Sequence, residues 1–158
     1  MTLKTVPHSR VPVLMVAWMA LCSVVCTAPA GAADDKAAIR TLIGKTWDTP
    51  EQKVFTDPVV VDGDHAVAGW TQGARGGRAL LHRRPDGWAV VLCSGDPLRE
   101  AAVLIQSGVP EARAGKIAAA LAAAESQADP ERVHLFSTFE GVMQVGPDGA
   151  HPNHHDHH

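Results

Sequence analysis

Two Asp-Gly steps, Asp62-Gly63 and Asp86-Gly87, cut a stretch of β-branched and small apolar residues into short lengths, and this constrains the fold more than any other feature of the chain. A tight hairpin turn needs positive φ, which glycine adopts without a Cβ clash, so each Asp-Gly between apolar runs marks a reversal of an extended chain. The apolar runs predict strands over residues 54–61, 66–71, 78–83 and 88–93, with the glycine-rich residues 73–77 as the remaining connection. Four consecutive strands joined by short turns make an antiparallel meander.

The pattern on either side is helical. Asp34 and Asp35 are cap candidates for a short amphipathic helix carrying Ile39, Leu42 and Ile43, with Gly44 as its stop. After the strands, Asp96 is placed to cap a segment over 97–106, and Gly108-Val109-Pro110 breaks it. An alanine-rich helix follows over 111–127, with Ile117, Leu121 and Ala124 as an apolar stripe for the sheet or a neighbouring helix. Asp129-Pro130 opens a further helical turn to 135, and 137–145, with Phe139, Val142 and Val145, reads as a last strand. The expectation is an α+β domain over residues 33–146: an antiparallel meander sheet packed by helices, in an order like cystatin-like or NTF2-like arrangements. That likeness is a fold analogy and says little about function.

Residues 1–32 read as a secretory signal peptide. Lys4, His8 and Arg10 make a cationic start, an apolar stretch follows over 11–25, and Ala30-Gly31-Ala32 fits small-x-small cleavage before Ala33. The stretch is shorter than the about 20 apolar residues that span a bilayer, so contact with the membrane is expected only through this signal. Val25 before Cys26 and Leu21 before Cys22 do not fit lipidation, and the expected location is the periplasm. Cleavage removes two of the 14 basic residues and none of the 17 acidic ones, taking the net charge from −3 to −5. Such a surface repels phosphates, so nucleic acid is not an expected partner, whereas cations are attracted. Cys93 would be the single remaining cysteine, with no intramolecular disulfide open to it; its apolar surroundings predict burial in a core strand.

Beyond the domain, residues 147–158 read as a flexible His-rich tail. His151, His154, His155, His157 and His158 are five of the nine histidines in the chain, and packing gives imidazole no reason to recur so densely. Their nitrogens, with Asp156, are the expected metal ligands. Affinity of nitrogen-rich sites for divalent first-row ions rises to copper and falls at zinc, so Cu(II) is the first expectation, with zinc or nickel as alternatives. An affinity tag would be an unbroken run, whereas Pro152, Asn153 and Asp156 interrupt this one. Met143 is the only methionine after the signal, which counts against a thioether site for Cu(I).

Catalytic motifs are weak. Gly44-Lys45-Thr46 matches the end of a phosphate-binding loop, but Ile39 stands where the leading glycine is required. Residues 73–78 are glycine-rich and basic without a following helix to receive phosphate. Cys93-Ser94-Gly95-Asp96 lacks the upstream glycine of a nucleophile elbow, since Val91 stands there. His65, His82 and His134 each lack a second ligand at metal-binding spacing and read singly as structural or surface histidines. No catalytic residue is assigned, and an enzyme is not expected.

The segments 66–73, 76–81 and 88–96, continuing into the alanine-rich helices and Ser137-Thr138-Phe139-Glu140-Gly141, resemble the small exported bacterial proteins called copper uptake system-associated proteins. The resemblance covers most of the chain after the signal. It implies a periplasmic role beside copper importers and copper chaperones and a histidine-rich end, and it carries no established active site. Two readings follow. In the first, a periplasmic protein of copper uptake or homeostasis captures Cu(II) through its C-terminal histidines. In the second, the domain docks on a copper transporter, receptor or periplasmic copper chaperone, and metal binding is secondary.

Overall fold

The computed structural model describes residues 30–146. The elements run in the order α1 (Ala30–Trp47), β1 (Phe55–Asp62), β2 (His65–Gln72), β3 (Arg75–Arg84), β4 (Gly87–Ser94), a 3-10 turn (Asp96–Arg99), α2 (Ala101–Gln106), α3 (Glu111–Ser126), α4 (Pro130–Phe136) and β5 (Val142–Gln144). The five strands form one antiparallel sheet in the order β1-β2-β3-β4-β5. The fold is α+β, an open meander with packing helices, as expected from the sequence.

The turns explain the register. Gly63 and Gly73 both stand at φ 60°, in the first central position of two-residue turns. These turns set Asp62 opposite His65 and Gln72 opposite Arg75. The β2–β3 connection is therefore a tight turn rather than a loop over 73–77, and β3 starts at Arg75, three residues earlier than expected. Gly76 lies inside the strand because backbone crowds it: a Cβ there would stand 2.8 Å from the Trp70 carbonyl oxygen and 2.9 Å from that of Leu135. In β1 the register shifts between Thr56 and Val59, around Pro58, which has no N–H to give the ladder. Arg40 of α1 donates to the Thr56 carbonyl at 3.0 Å and to Asp57 Oδ1 at 2.7 Å, and Arg132 of α4 donates to the Asp57 carbonyl at 2.9 Å.

Both faces of the sheet are covered. Ile39 and Ile43 of α1 pack on Val59, Ala66, Ala68, Ala79, Leu81, Trp88 and Val90. On the opposite face, Val60, Val67, Leu80 and Leu92 meet Leu98, Leu104, Ile117 and Leu121. This is why Ala66-Val67-Ala68 and Ala79-Leu80-Leu81 are continuous buried runs instead of alternating ones.

Three helical boundaries differ from expectation. α1 runs through Gly44 to Trp47, since an isolated glycine is tolerated in a helix and the extra turn brings Trp47 against the core. Its start at Ala30 takes in Gly31 and Ala32, while residues 1–29 of the expected signal lie outside the described residues. Asp35 does not cap α1; its carboxylate pairs with Arg83 and accepts from Trp88 Nε1 at 3.3 Å. The segment 97–106 divides at Glu100, which is extended at φ −92° and ψ 124°. The last strand is confined to Val142–Gln144, and the α3 stripe of Ile117, Leu121 and partly buried Ala124 is extended by buried Glu125.

Glu125 is buried because it answers a buried cation. Arg78 of β3 is fully enclosed and donates through Nε and Nη2 to the two Glu125 oxygens at 2.7 and 2.9 Å. Its Nη1 donates to Asp96 Oδ1 at 3.2 Å, an oxygen that also accepts from Ser137 Oγ at 2.7 Å. Arg99 Nε lies 3.5 Å from Glu125 Oε2, and the Arg78 guanidinium sits 5.4 Å over the Phe136 ring. This network ties the end of α3, the 3-10 turn and α4 to the middle of the sheet.

Candidate functional site

The expected ligands His151, His154, His155, Asp156, His157 and His158 lie outside the described residues. Within them, His65, His82, Cys93 and His134 fall in three different surroundings.

His65 opens β2 and His82 lies near the end of β3, and the register places them directly opposite each other. Their rings stack with centroids 4.6 Å apart and planes inclined by 23°. They share the face of Val67 and Leu80, toward α3, because side chains on a strand alternate. His65 is half-buried and His82 exposed. Burial lowers the His65 pKa below its ordinary value of 6.5, the neighbouring His82 and Arg113 add to the shift, and Asp64 and Asp62 oppose it. The ring is therefore held neutral at neutral pH. His65 Nδ1 and Asp62 Oδ2 are both buried and find no hydrogen-bond partner among the described residues. Arg113 Nη1 stands 3.7 Å from the other Asp62 oxygen.

Cys93 is buried in β4, as its apolar setting predicts. Loss of solvent pushes its thiol up to about 12, so thiolate is scarce at neutral pH. It lines a cavity of about 100 Å³ with Trp47, Val54, Trp70, Phe139 and Met143, beneath the end of α1. Trp70 meets Phe139 edge to face at 5.8 Å, and Gln72 closes the rim by donating to the Trp47 carbonyl at 2.9 Å. The indole N–H groups of Trp47 and Trp70 are buried without partners among the described residues. The walls are apolar and bring no titrating base to the thiol.

His134 is exposed in the last turn of α4. Among the described residues no group of three or more His, Cys, Asp or Glu side chains is gathered to hold a metal ion, and no helix is long and apolar enough to cross a membrane. The pairing of His65 with His82 is what sequence reasoning missed: the second histidine is 17 residues away in the chain but adjacent across the strands. The turn at Gly73-Ala74 is the signal that would have found it. No protein-family model, no curated protein and no solved structure matches the chain.

Proposed function

We propose that this protein is an exported, non-enzymatic metal-binding protein of copper uptake or homeostasis, taking Cu(II) as its cargo through His151, His154, His155, Asp156, His157 and His158. The density of imidazole in the last eight residues carries the reading. Neutral imidazole is a strong ligand for Cu(II), and several nitrogens suit its square-planar or tetragonal preference. Ordering a chain segment costs about 1 to 2 kcal/mol per fixed residue, so the binding suited to such a tail is exchangeable capture and delivery. The acidic surface and the resemblance to copper uptake system-associated proteins support the same reading.

Calorimetric titration with Cu(II), Zn(II) and Ni(II) tests it, comparing the intact protein with one in which the five tail histidines are replaced by alanine. The expected result is loss of the tightest copper binding on substitution, with the circular dichroism spectrum unchanged. Copper binding of undiminished affinity and stoichiometry after substitution would overturn the proposal. Affinity should also fall below about pH 6, where protons compete for the imidazoles.

A further inference from the structure

We infer that His65 and His82 form a second metal site, a cross-strand pair of imidazoles that binds one borderline divalent ion independently of the tail. Residues directly opposite in an antiparallel pair hold their Cβ atoms about 4.5 to 5.5 Å apart, close enough for two imidazoles to reach one ion. Nitrogens each about 2.0 Å from a shared ion lie within about 4 Å of each other. Rings with centroids at 4.6 Å come to that separation by rotation of the exposed His82 side chain, with His65 held in place by its surroundings.

Two further observations point to a ligand here rather than to simple stacking. His65 Nδ1 is a buried nitrogen with no partner among the described residues, and so is the oxygen Asp62 Oδ2, on the residue paired with His65 across the turn. A buried polar group left unmade costs about 1 to 3 kcal/mol, and an ion with its bound water answers a nitrogen lone pair and a carboxylate together. The charged groups around the pair are Asp62 and Asp64 in the β1–β2 turn, Arg113 from α3, and Arg83 of β3, whose Nε stands 3.8 Å from Asp64 Oδ1. The two carboxylates are thus balanced by two guanidiniums, and the imidazole nitrogens, not the local field, carry the affinity for the ion. Two imidazoles leave the other coordination positions to water, so the site is open to solvent and weaker than a closed three- or four-ligand centre.

The test uses the whole chain with its five tail histidines replaced by alanine, titrated separately with Cu(II) and Zn(II). One equivalent of at least one of these ions should remain bound. In that background His82→Ala should lower the affinity about tenfold or more, the scale on which losing even an outer-shell partner weakens a site. His134→Ala should leave it unchanged. His82 is exposed, so its removal spares the fold, and His65→Ala serves as a second variant checked by circular dichroism. Absence of binding in the tail-substituted protein, or binding that His82→Ala does not weaken, would overturn the inference. The tail proposal is judged separately, by what the five substitutions remove from the intact protein.

Discussion

Replacing Glu125 with leucine would leave the Arg78 guanidinium, enclosed in the sheet, without its bidentate partner. Arg78 has no exposed side-chain surface and the Glu125 side chain only 4%. Removing one member of such a pair costs about 3 to 5 kcal/mol, mostly the penalty of a buried charge left unanswered. Asp96 still reaches Nη1 at 3.2 Å, but its side chain is 58% exposed and it meets one edge of the guanidinium only. The cost should therefore sit near the lower end, about 3 kcal/mol. In a domain of this size each kcal/mol moves Tm by about 3 to 5 °C, so Glu125→Leu should melt about 9 to 15 °C lower. The double variant Arg78→Met/Glu125→Leu removes both charges and supplies apolar volume, and it should be more stable than either single variant. Urea unfolding followed by circular dichroism, with all four proteins compared at one pH, gives the cycle. A loss below 1 kcal/mol for Glu125→Leu, or a double variant as unstable as the sum of the singles, would refute the reasoning.

Other outcomes follow from local geometry. Gly69→Ala places a Cβ 2.7 Å from Cζ of Phe136, a fully buried ring, and should cost about 1 to 3 kcal/mol in chemical denaturation. Gly115→Ala, in the interior of α3 with nothing within 4 Å, should instead stabilise by about 0.5 to 1 kcal/mol. Cys93 should resist a thiol reagent at neutral pH, reacting at the rate of unfolding; complete modification within seconds in native buffer would contradict its burial. The hydrogen bond from Ser137 holds the Asp96 carboxyl below its ordinary 3.8, against the opposing effect of burial, with Arg78 adding to the lowering. A depressed carboxyl favours the fold above 3.8, and that contribution is lost as pH falls through the lower folded value. Ser137→Ala should raise the Asp96 pKa in NMR titration and reduce the acid-side slope of stability.

The meander was legible because its signals are local. Asp62-Gly63 and Asp86-Gly87 announce turns, and the Val-rich and Ala-Leu-rich lengths between them leave little choice but extended chain. What escaped were features that depend on one exact position or on distant partners. Reading 73–77 as a loop, instead of a two-residue turn at Gly73-Ala74, lost the register and with it the opposition of His65 and His82. Gly44 looked like a helix stop because a lone glycine does not reveal that Trp47, three residues on, has a core position to fill. Glu125 was indistinguishable from the other polar residues of an alanine-rich helix. Only Arg78, 47 residues earlier, explains why a carboxylate is buried beside Ala124 at the end of the apolar stripe. The proposed tail ligands rest on composition alone, since they lie outside the described residues.

The separation between Arg78 and Glu125 also orders the folding reaction. The first four strands need only short loops to close, so the meander can assemble from local contacts at little entropic cost. At that stage the α3 face of the sheet carries a cation with no counter-charge from α3, and hydration of Arg78 opposes drying of that face. Docking of α3 supplies the carboxylate and the apolar stripe of Ile117 and Leu121 in one step, while the hydrogen bond from Ser94 Oγ to the Gly141 carbonyl, spanning another 47 residues, waits for the chain to return to the sheet edge. A chain that ends before Glu125 should thus be left with a wet, half-covered sheet, Arg78 lacking its carboxylate partner.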